Sequence, residues 1–301
     1  MEKIRIAVVG YGNIGKFAVQ AAEQAPDMEI AGIVRRASSL KKPVPPEIAG
    51  YKIVSSIKEL EDVDVAVLCI PTLSIPETAM EILSMGINTV DSYDIHGRLW
   101  DLKQQLDPVA RQNNAVAIIS SGWDPGSDSI IRTLLQALVP RGITYTNFGP
   151  GMSMGHTVAA KAIDGVKHAL SMTIPLGTGV HRRMVYVELE EGAEFEEVER
   201  ALKADEYFVK DETIVIQVED VNRLIDMGHG VLIERKGVSG ATHNQLLEFK
   251  MKINNPALTG QVLISVARAS VKQKPGAYTM VEIPVIDLLY GDKENIIKSL
   301  V

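Results

Sequence analysis

Short apolar runs alternate with amphipathic stretches over roughly the first 120 residues. Residues 6–9, 28–34, 64–70, 87–90 and 115–119 read as strands covered on both faces, because a parallel strand between helices shows a continuous apolar run. Between them, residues 14–25, 76–85 and 99–113 have helical character. Pro71 stops one strand, Gly86 stands at a helix C-terminus, and Pro108 is expected to kink or divide its helix. A polar loop over residues 37–50 carries Pro43, Pro45 and Pro46, and residues 52–54 form a short strand. This alternation predicts an α/β fold with a doubly wound, mostly parallel sheet.

The second half has a different pattern. Residues 185–189, 213–218 and 231–235 read as strands. Residues 247–253 place apolar side chains at odd positions and charges at even ones, the signature of a mostly antiparallel sheet with one covered and one wet face. Residues 237–244 are rich in turn formers and join two strands, while residues 194–203 and 256–272 look helical. The expected division is a first domain over residues 1–120 and an α+β domain over residues 121–274, with the boundary near 120–125. Residues 275–301 are a candidate to return to the first domain and complete it.

The first strand runs into Gly10-Tyr11-Gly12-Asn13-Ile14-Gly15, a Gly-x-Gly-x-x-Gly motif that opens a helix. Gly10 permits a tight turn, Gly12 lets backbone approach a pyrophosphate, and Gly15 lets helix and strand pack closely. The helix N-terminus offers N–H groups and partial positive charge to phosphates. The motif therefore predicts a Rossmann-like dinucleotide-binding domain. An NAD site commonly places a carboxylate at the end of the second strand, but this chain has Arg35 and Arg36 there. A guanidinium fork suits a phosphate dianion, so NADP(H) is the expected cofactor; the competing reading is two solvated surface charges.

With 301 residues the chain can bury a sizeable core and form two domains. Its net charge of −7 argues against a nucleic-acid partner. The single cysteine, Cys69, sits in an apolar run and reads as a structural thiol. Met1 leads almost directly into the first strand, and no signal-like or membrane-spanning run is present, so a cytoplasmic protein with no membrane partner is expected.

Ligands bind beyond the carboxyl ends of parallel strands. The loops over residues 10–15, 70–74, 92–96 and 121–126 meet that description, and Thr72, Ser92, Asp94 and Asp124 are their polar residues of interest. Asp94 and Asp124 end two different strands, where paired carboxylates hold an ammonium or act as acid and base. Asp124 before Pro125 is equally a turn or cap residue. Trp123 is either a core aromatic or a pocket wall. Residues 147–156 form a second glycine-rich stretch, either a loop whose N–H groups suit a carboxylate or equally a structural loop. His229 lies in Met227-Gly228-His229-Gly230, where the glycines suggest a backbone needing freedom near a ligand. The six histidines show no zinc spacing, so no metal is expected.

These segments together resemble the meso-diaminopimelate D-dehydrogenase family. The match runs through Val9-Gly10-Tyr11-Gly12-Asn13, Arg35-Arg36, Val90-Asp91-Ser92-Tyr93-Asp94, Ser121-Gly122-Trp123-Asp124-Pro125-Gly126, Phe148-Gly149-Pro150-Gly151, Gly155-His156, Gly240-Ala241-Thr242-His243-Asn244 and Asn255-Pro256. The resemblance implies NADP-dependent oxidative deamination at the D-centre of meso-2,6-diaminopimelate, giving L-2-amino-6-oxopimelate and ammonia, within lysine biosynthesis. It also implies a homodimer, with the second domain binding substrate and dimerising, and reductive amination of 2-keto acids to D-amino acids.

By position, the resemblance assigns Asp94 and Asp124 to the reacting amine, and Met154, Gly155 and Phe148 to its carboxylate. Thr173, Arg183, His229 and Asn255 fall at the distal L-centre, and Trp123 also lines the substrate. The implied cofactor contacts are residues 10–15, Arg35, Arg36, Cys69, Ile70, Pro71, Thr72, Ser92, Tyr93, Asp94, Ser121, Gly122, Trp123, Asp124 and Pro125. Phe148 stands where many members have Trp, and Met154 where many have Gln. The chain is also shorter before Arg183, as in the branch with wider 2-keto-acid tolerance. Two alternatives are another NADP-dependent two-domain oxidoreductase, such as dihydrodipicolinate reductase or a semialdehyde dehydrogenase, and a non-catalytic NADP(H)-binding redox sensor. A thioester route needs an activated, exposed thiol, which Cys69 does not offer.

Overall fold

The computed structural model describes residues 3–225 and 228–301; Met1, Glu2, Asp226 and Met227, and with them the start of the chain and the first residue of the Met227-Gly228-His229-Gly230 motif, lie outside the described residues. In chain order the elements begin β1 (Ile4–Val9), α1 (Asn13–Glu23), β2 (Met28–Val34), α2 (Ala37–Leu40), β3 (Ile53–Val54), β4 (Val65–Leu68), α3 (Ile75–Leu83), β5 (Asn88–Asp91), α4 (Leu99–Gln112), β6 (Val116–Ile119) and α5 (Ser127–Leu138). They continue β7 (Arg141–Phe148), β8 (Gly151–Met152), α6 (Met154–Lys161), β9 (Val166–Gly177), β10 (Val180–Leu189), α7 (Phe195–Ala204), β11 (Glu212–Gln217), β12 (Gly228–Ser239) and β13 (Thr242–Asn254). The chain closes with α8 (Asn255–Ser270), β14 (Gly276–Thr279) and α9 (Lys293–Leu300).

Two compact units are present, Met1–Ile131 with Pro256–Val301, and Arg132–Asn255. The division falls inside α5, beyond the 120–125 turn, and the return comes at Pro256, so α8 belongs to the first unit. Its apolar residues explain why: Leu263, Ile264, Val266 and Ala267 are fully buried in the first unit's core.

The first unit is built on a parallel sheet of order β14-β6-β5-β4-β1-β2-β3. Side chains alternate across a strand, and β1 shows the consequence. Ile6 and Val8 pack with Ala18, Val19 and Ala22 of α1 and with α8. Ala7 and Val9 face the opposite core, which holds Ile75, Ala79 and Ile82 of α3 and Leu102 and Leu106 of α4. Burying each such Leu or Ile contributes roughly 1.5–3 kcal/mol. The C-terminal segment does return: β14 pairs with β6 from Gly276↔Val116 to Thr279↔Ile119, and Asp107 Oδ1 accepts from the Ala277 N–H at 2.9 Å. Pro108 does not divide α4, which runs unbroken through it; Leu102, Leu106 and Ala110 are anchored in the core on either side of the missing N–H. A partly buried bidentate pair ties α8 to the turn before β2, with Arg268 Nε 2.5 Å and Nη2 2.8 Å from Asp27. Burial opposes ionisation of Asp27, but the hydrogen bonds and charge of Arg268 outweigh it and hold the carboxyl below its ordinary range.

The second unit holds a four-stranded sheet, β11-β10-β9-β8, and a three-stranded one, β13-β12-β7. They are antiparallel except that β10 and β11 run parallel, a connection made through the crossover helix α7. Ala160, Val185, Val187, Val198, Leu202 and Phe208 form the core under α6 and α7. His229 lies on strand β12, and its neighbour Gly230 allows a close approach: Gly149 donates its N–H to the Gly230 carbonyl at 2.6 Å. Arg235, 5% exposed, caps the C-terminal end of α5 by donating to the Val139 and Pro140 carbonyls, where a cation also meets the negative end of the helix dipole.

At Gly260 of α8 a β-carbon would stand 2.8 Å from backbone atoms of Phe17 and Ala18 in α1. Gly260→Ala is therefore expected to cost about 1–3 kcal/mol through overpacking. Gly50→Ala, with nothing within 4 Å of the new β-carbon, should stay within roughly 0.5 kcal/mol of the parent. Urea unfolding midpoints compare the two; equal midpoints would remove the close α1–α8 contact from the account.

Candidate active site

The exits of β1, β2, β4, β5 and β6 carry the predicted residues of the first unit. Gly10 has φ +96°, and a β-carbon there would sit 2.4 Å from the Cys69 carbonyl. At Gly15 it would sit 2.1 Å from the Gly10 carbonyl. Gly12 differs: it is the exposed N-cap of α1, no side chain caps the helix, and nothing lies within 4 Å of its β-carbon position. The turn is closed on its inner side and open above the helix N-terminus, with no acidic residue in the first helical turn. That is the geometry that accepts a pyrophosphate.

At the end of β2, Arg35 is half-buried and its buried Nη1 has no hydrogen-bond partner among the described residues, while Arg36 is exposed. A buried guanidinium donor left this way is matched by an anion. The residues present therefore fit a dinucleotide. Cys69 is half-buried behind the loop, and burial pushes its thiol up to about 12, so it stays a thiol and not a nucleophile.

A chain of hydrogen bonds joins the neighbouring strand exits. Thr72 Oγ1 donates to Asp94 Oδ1 at 2.5 Å, linking the β4 and β5 exits. Asp91, fully buried at the end of β5, accepts at Oδ1 from the Tyr93 N–H at 2.9 Å and the Ser120 N–H at 3.0 Å. Its carbonyl accepts from the Ser121 N–H and hydroxyl at 2.7 and 2.8 Å. Burial pushes the Asp91 carboxyl up to about 6, against those two N–H bonds. Ser92 and Tyr93 lie between Asp91 and Asp94, and the exposed Asp94 is thereby held on both sides. Asp124 follows the adjacent strand on a turn closed by a Gly122–Gly126 bridge, with Pro125 buried and Trp123 only 5% exposed. Ile70 and Pro71 lead from β4 into the Thr72 turn.

In the second unit, Thr173, Arg183, Phe148 and His229 come together. Arg183 lies in register between Thr173 on β9 and Thr213 on β11, and Thr173 in turn pairs with Gly151 on β8. Arg183 Nη1 donates to Thr173 Oγ1, and Nε donates to Asp211 Oδ2 at 2.6 Å. Phe148 donates its N–H to His181 Nε2 at 2.8 Å and stacks on His229 with centroids 6.4 Å apart. Met154 and Gly155 form the first turn of α6. His156 there lies 2.8 Å from Ser153 Oγ and edge-on to Tyr207 and Phe208. Burial first, and the Arg183 charge second, push His156 and His229 down to about 4 and lower His181. Asn255 heads α8 at the end of the second unit.

Sequence reasoning did not assign Asp91, His181 or Asp211. Asp91 follows the 87–90 run and carries no local signal of a bridging role, and Asp211 sits in a charged stretch that reads as solvated surface. Only the pairing of β10 with β11 brings Asp211 to Arg183.

Comparison with known proteins agrees with this geometry. The family pattern described as the diaminopimelic acid dehydrogenase C-terminal domain matches residues 122–180, and that of the oxidoreductase family, NAD-binding Rossmann fold, matches residues 4–118. A meso-diaminopimelate D-dehydrogenase from Bacteroides fragilis is 65% identical, covering 100% of both chains. A DAP dehydrogenase from C. glutamicum, solved in complex with DAP, superposes with a TM-score of 0.88 at 29% identity and covers 100% of both chains. An engineered D-amino acid dehydrogenase bound to NADP+ superposes with a TM-score of 0.84 at 27% identity, covering 99% of this chain and 100% of that one.

The depressed histidines make a pH prediction. Folding lowers their proton affinity from 6.5 to about 4, so the unfolded chain binds more protons across that window. Their contribution to stability is full above pH 6.5 and declines as pH falls through it. In side-chain NMR titrations, with resonances assigned by His156→Asn and His229→Asn, both rings should remain neutral at pH 5.5. A midpoint above pH 6 for either would refute the buried, Arg183-facing environment.

Proposed function

The chain belongs to the meso-diaminopimelate D-dehydrogenase family, and on that premise we propose how its own residues carry the reversible oxidative deamination of the D-centre of meso-2,6-diaminopimelate. The products are L-2-amino-6-oxopimelate and ammonia. The 65% identity over the full chain carries this reading and sets aside the reductase and sensor alternatives. When bound, NADP+ accepts the hydride from the D-configured α-carbon, and water completes hydrolysis of the resulting imine.

Asp94 and Asp124 grip the reacting amine; the Thr72 bond fixes one carboxylate and the Gly122–Gly126 turn places the other. The N-terminus of α6 at Met154 and Gly155, which no side chain caps, receives the adjacent carboxylate together with Phe148. Arg183 and Thr173 take the distal carboxylate, His229 adds a hydrogen bond, and the Asn255 side-chain carbonyl accepts from the distal ammonium. No side chain is assigned as a general base, so positioning of a neutral amine supplies most of the rate. The cofactor is held by residues 10–15, by Arg35 and Arg36 at the 2′-phosphate, and by residues 69–72, 92–94 and 121–125. Reductive amination of 2-keto acids to D-amino acids, a homodimeric assembly, a role in lysine biosynthesis and a cytoplasmic location complete the proposal on the strength of the family resemblance. Among the described residues no helix is long and apolar enough to cross a membrane.

Two experiments test this reading. With NADP+ and the separate diaminopimelate stereoisomers, the meso form should react and the LL form should not. Asp94→Ala should lose about 100-fold or more in kcat/KM, the scale of a misplaced reacting group, while the protein stays folded. Turnover of LL-diaminopimelate at a comparable rate would refute the stereochemical role of the two aspartates.

Cofactor choice is tested at Arg35 and Arg36. Each charge-assisted contact to the 2′-phosphate contributes of order 1.5–3 kcal/mol before solvent screening. Replacing both with Ala should raise KM for NADP+ at least tenfold more than KM for NAD+. Equal effects on the two cofactors would show that these arginines do not read the phosphate.

A further inference from the structure

The Asp211–Arg183 pair has a consequence for which substrates the second unit accepts. Arg183 is 13% and Asp211 24% exposed in their side chains, so the pair is partly withdrawn from water and its charges are only weakly screened. Asp211 is firmly placed. It ends a turn in which Phe208, 1% exposed, is buried in the core and the Asp211 N–H donates to the Phe208 carbonyl at 3.1 Å. Thr213 Oγ1 closes the same turn on the Phe208 and Asp211 carbonyls at 3.3 and 3.2 Å. A guanidinium has five N–H groups. Asp211 takes Nε–H and Thr173 takes one on Nη1, which leaves three on the terminal nitrogens for an incoming carboxylate. A ligand can therefore bind Arg183 without displacing Asp211, and it then meets both charges.

We propose that Asp211 is a specificity-determining residue: with Arg183 it forms a site of zero net charge that accepts a zwitterionic distal end and disfavours a lone distal carboxylate. This rests on the reading of Arg183 as the distal clamp. An isolated Arg183 would favour any distal anion. With Asp211 beside it, a lone carboxylate brings the local charge to −1, whereas the α-amino acid end of the natural substrate leaves it at zero and lets Asp211 attract the ammonium. Burial and the Arg183 charge disfavour protonation of the surrounding imidazoles of His156, His181 and His229, so they do not offset the Asp211 charge.

The test compares meso-diaminopimelate with D-2-aminopimelate, which has the same carbon chain and distal carboxylate but lacks the distal amine. Asp211→Asn keeps an oxygen to accept from Arg183 Nε and removes only the charge. The ratio of kcat/KM for meso-diaminopimelate over D-2-aminopimelate should fall about tenfold or more, mainly through KM, and Asp211→Glu should restore most of it. D-Norleucine, with no distal polar group, should be unaffected. On the unmodified protein, L-2-aminopimelate should inhibit more tightly than pimelate, a measurement that does not depend on any variant folding. An unchanged substrate ratio in Asp211→Asn, or equal inhibition by the two acids, would overturn the proposal. Arg183→Ala separates the two levels of the argument. If it lowers activity on meso-diaminopimelate and D-norleucine by the same factor, the clamp reading itself fails. If it acts selectively on meso-diaminopimelate while the Asp211→Asn ratio is unmoved, only the role of Asp211 fails.

Discussion

The backbone contact between residues 10 and 15 is the constraint on which the first unit depends. A β-carbon at Gly15 would overlap the Gly10 carbonyl at 2.1 Å, and one at Gly10 would overlap the Cys69 carbonyl at 2.4 Å. Glycine at both positions lets α1 begin directly on the end of β1, between β2 and β4, where the strand order reverses. With α1 seated there, its N-terminus opens at Gly12 and Arg35 comes to the end of the neighbouring strand. Farther along the same helix, Gly260 of α8 packs against the Phe17 and Ala18 backbone, so a residue late in the chain helps to seat α1.

The second level of order is a relay of polar contacts along the sheet's carboxyl edge. Asp91 is buried at some electrostatic cost, shown by its raised proton affinity. In return it fixes two backbone N–H groups on different strand exits, which carry Asp94 and Asp124 on either side. Oδ1 of Asp91 makes two hydrogen bonds that offset part of that cost, while its buried Oδ2 has no partner among the described residues. The second unit solves a related problem across a sheet instead of at its end. Gly151, Thr173, Arg183 and Thr213 occupy one row through four strands, so the arginine is held by its register and by Asp211 together.

Much of this was legible in the chain itself. The apolar runs and the glycine motif determined the parallel sheet of the Rossmann domain and the tight turn from β1 into α1, because local periodicity and glycine's lack of a side chain act over short stretches of sequence. The resemblance carried by the Trp123-Asp124-Pro125-Gly126 and Gly149-Pro150-Gly151 segments identified the family. Where a local rule competed with packing, packing prevailed: Pro108 lies in an undivided helix. Tertiary structure alone decided the return of β14 to β6, the assignment of α8 to the first unit, the bridging role of Asp91 and the pairing of Asp211 with Arg183. Each of these joins residues far apart along the chain or depends on strand register, and neither is encoded in the spacing of nearby residues.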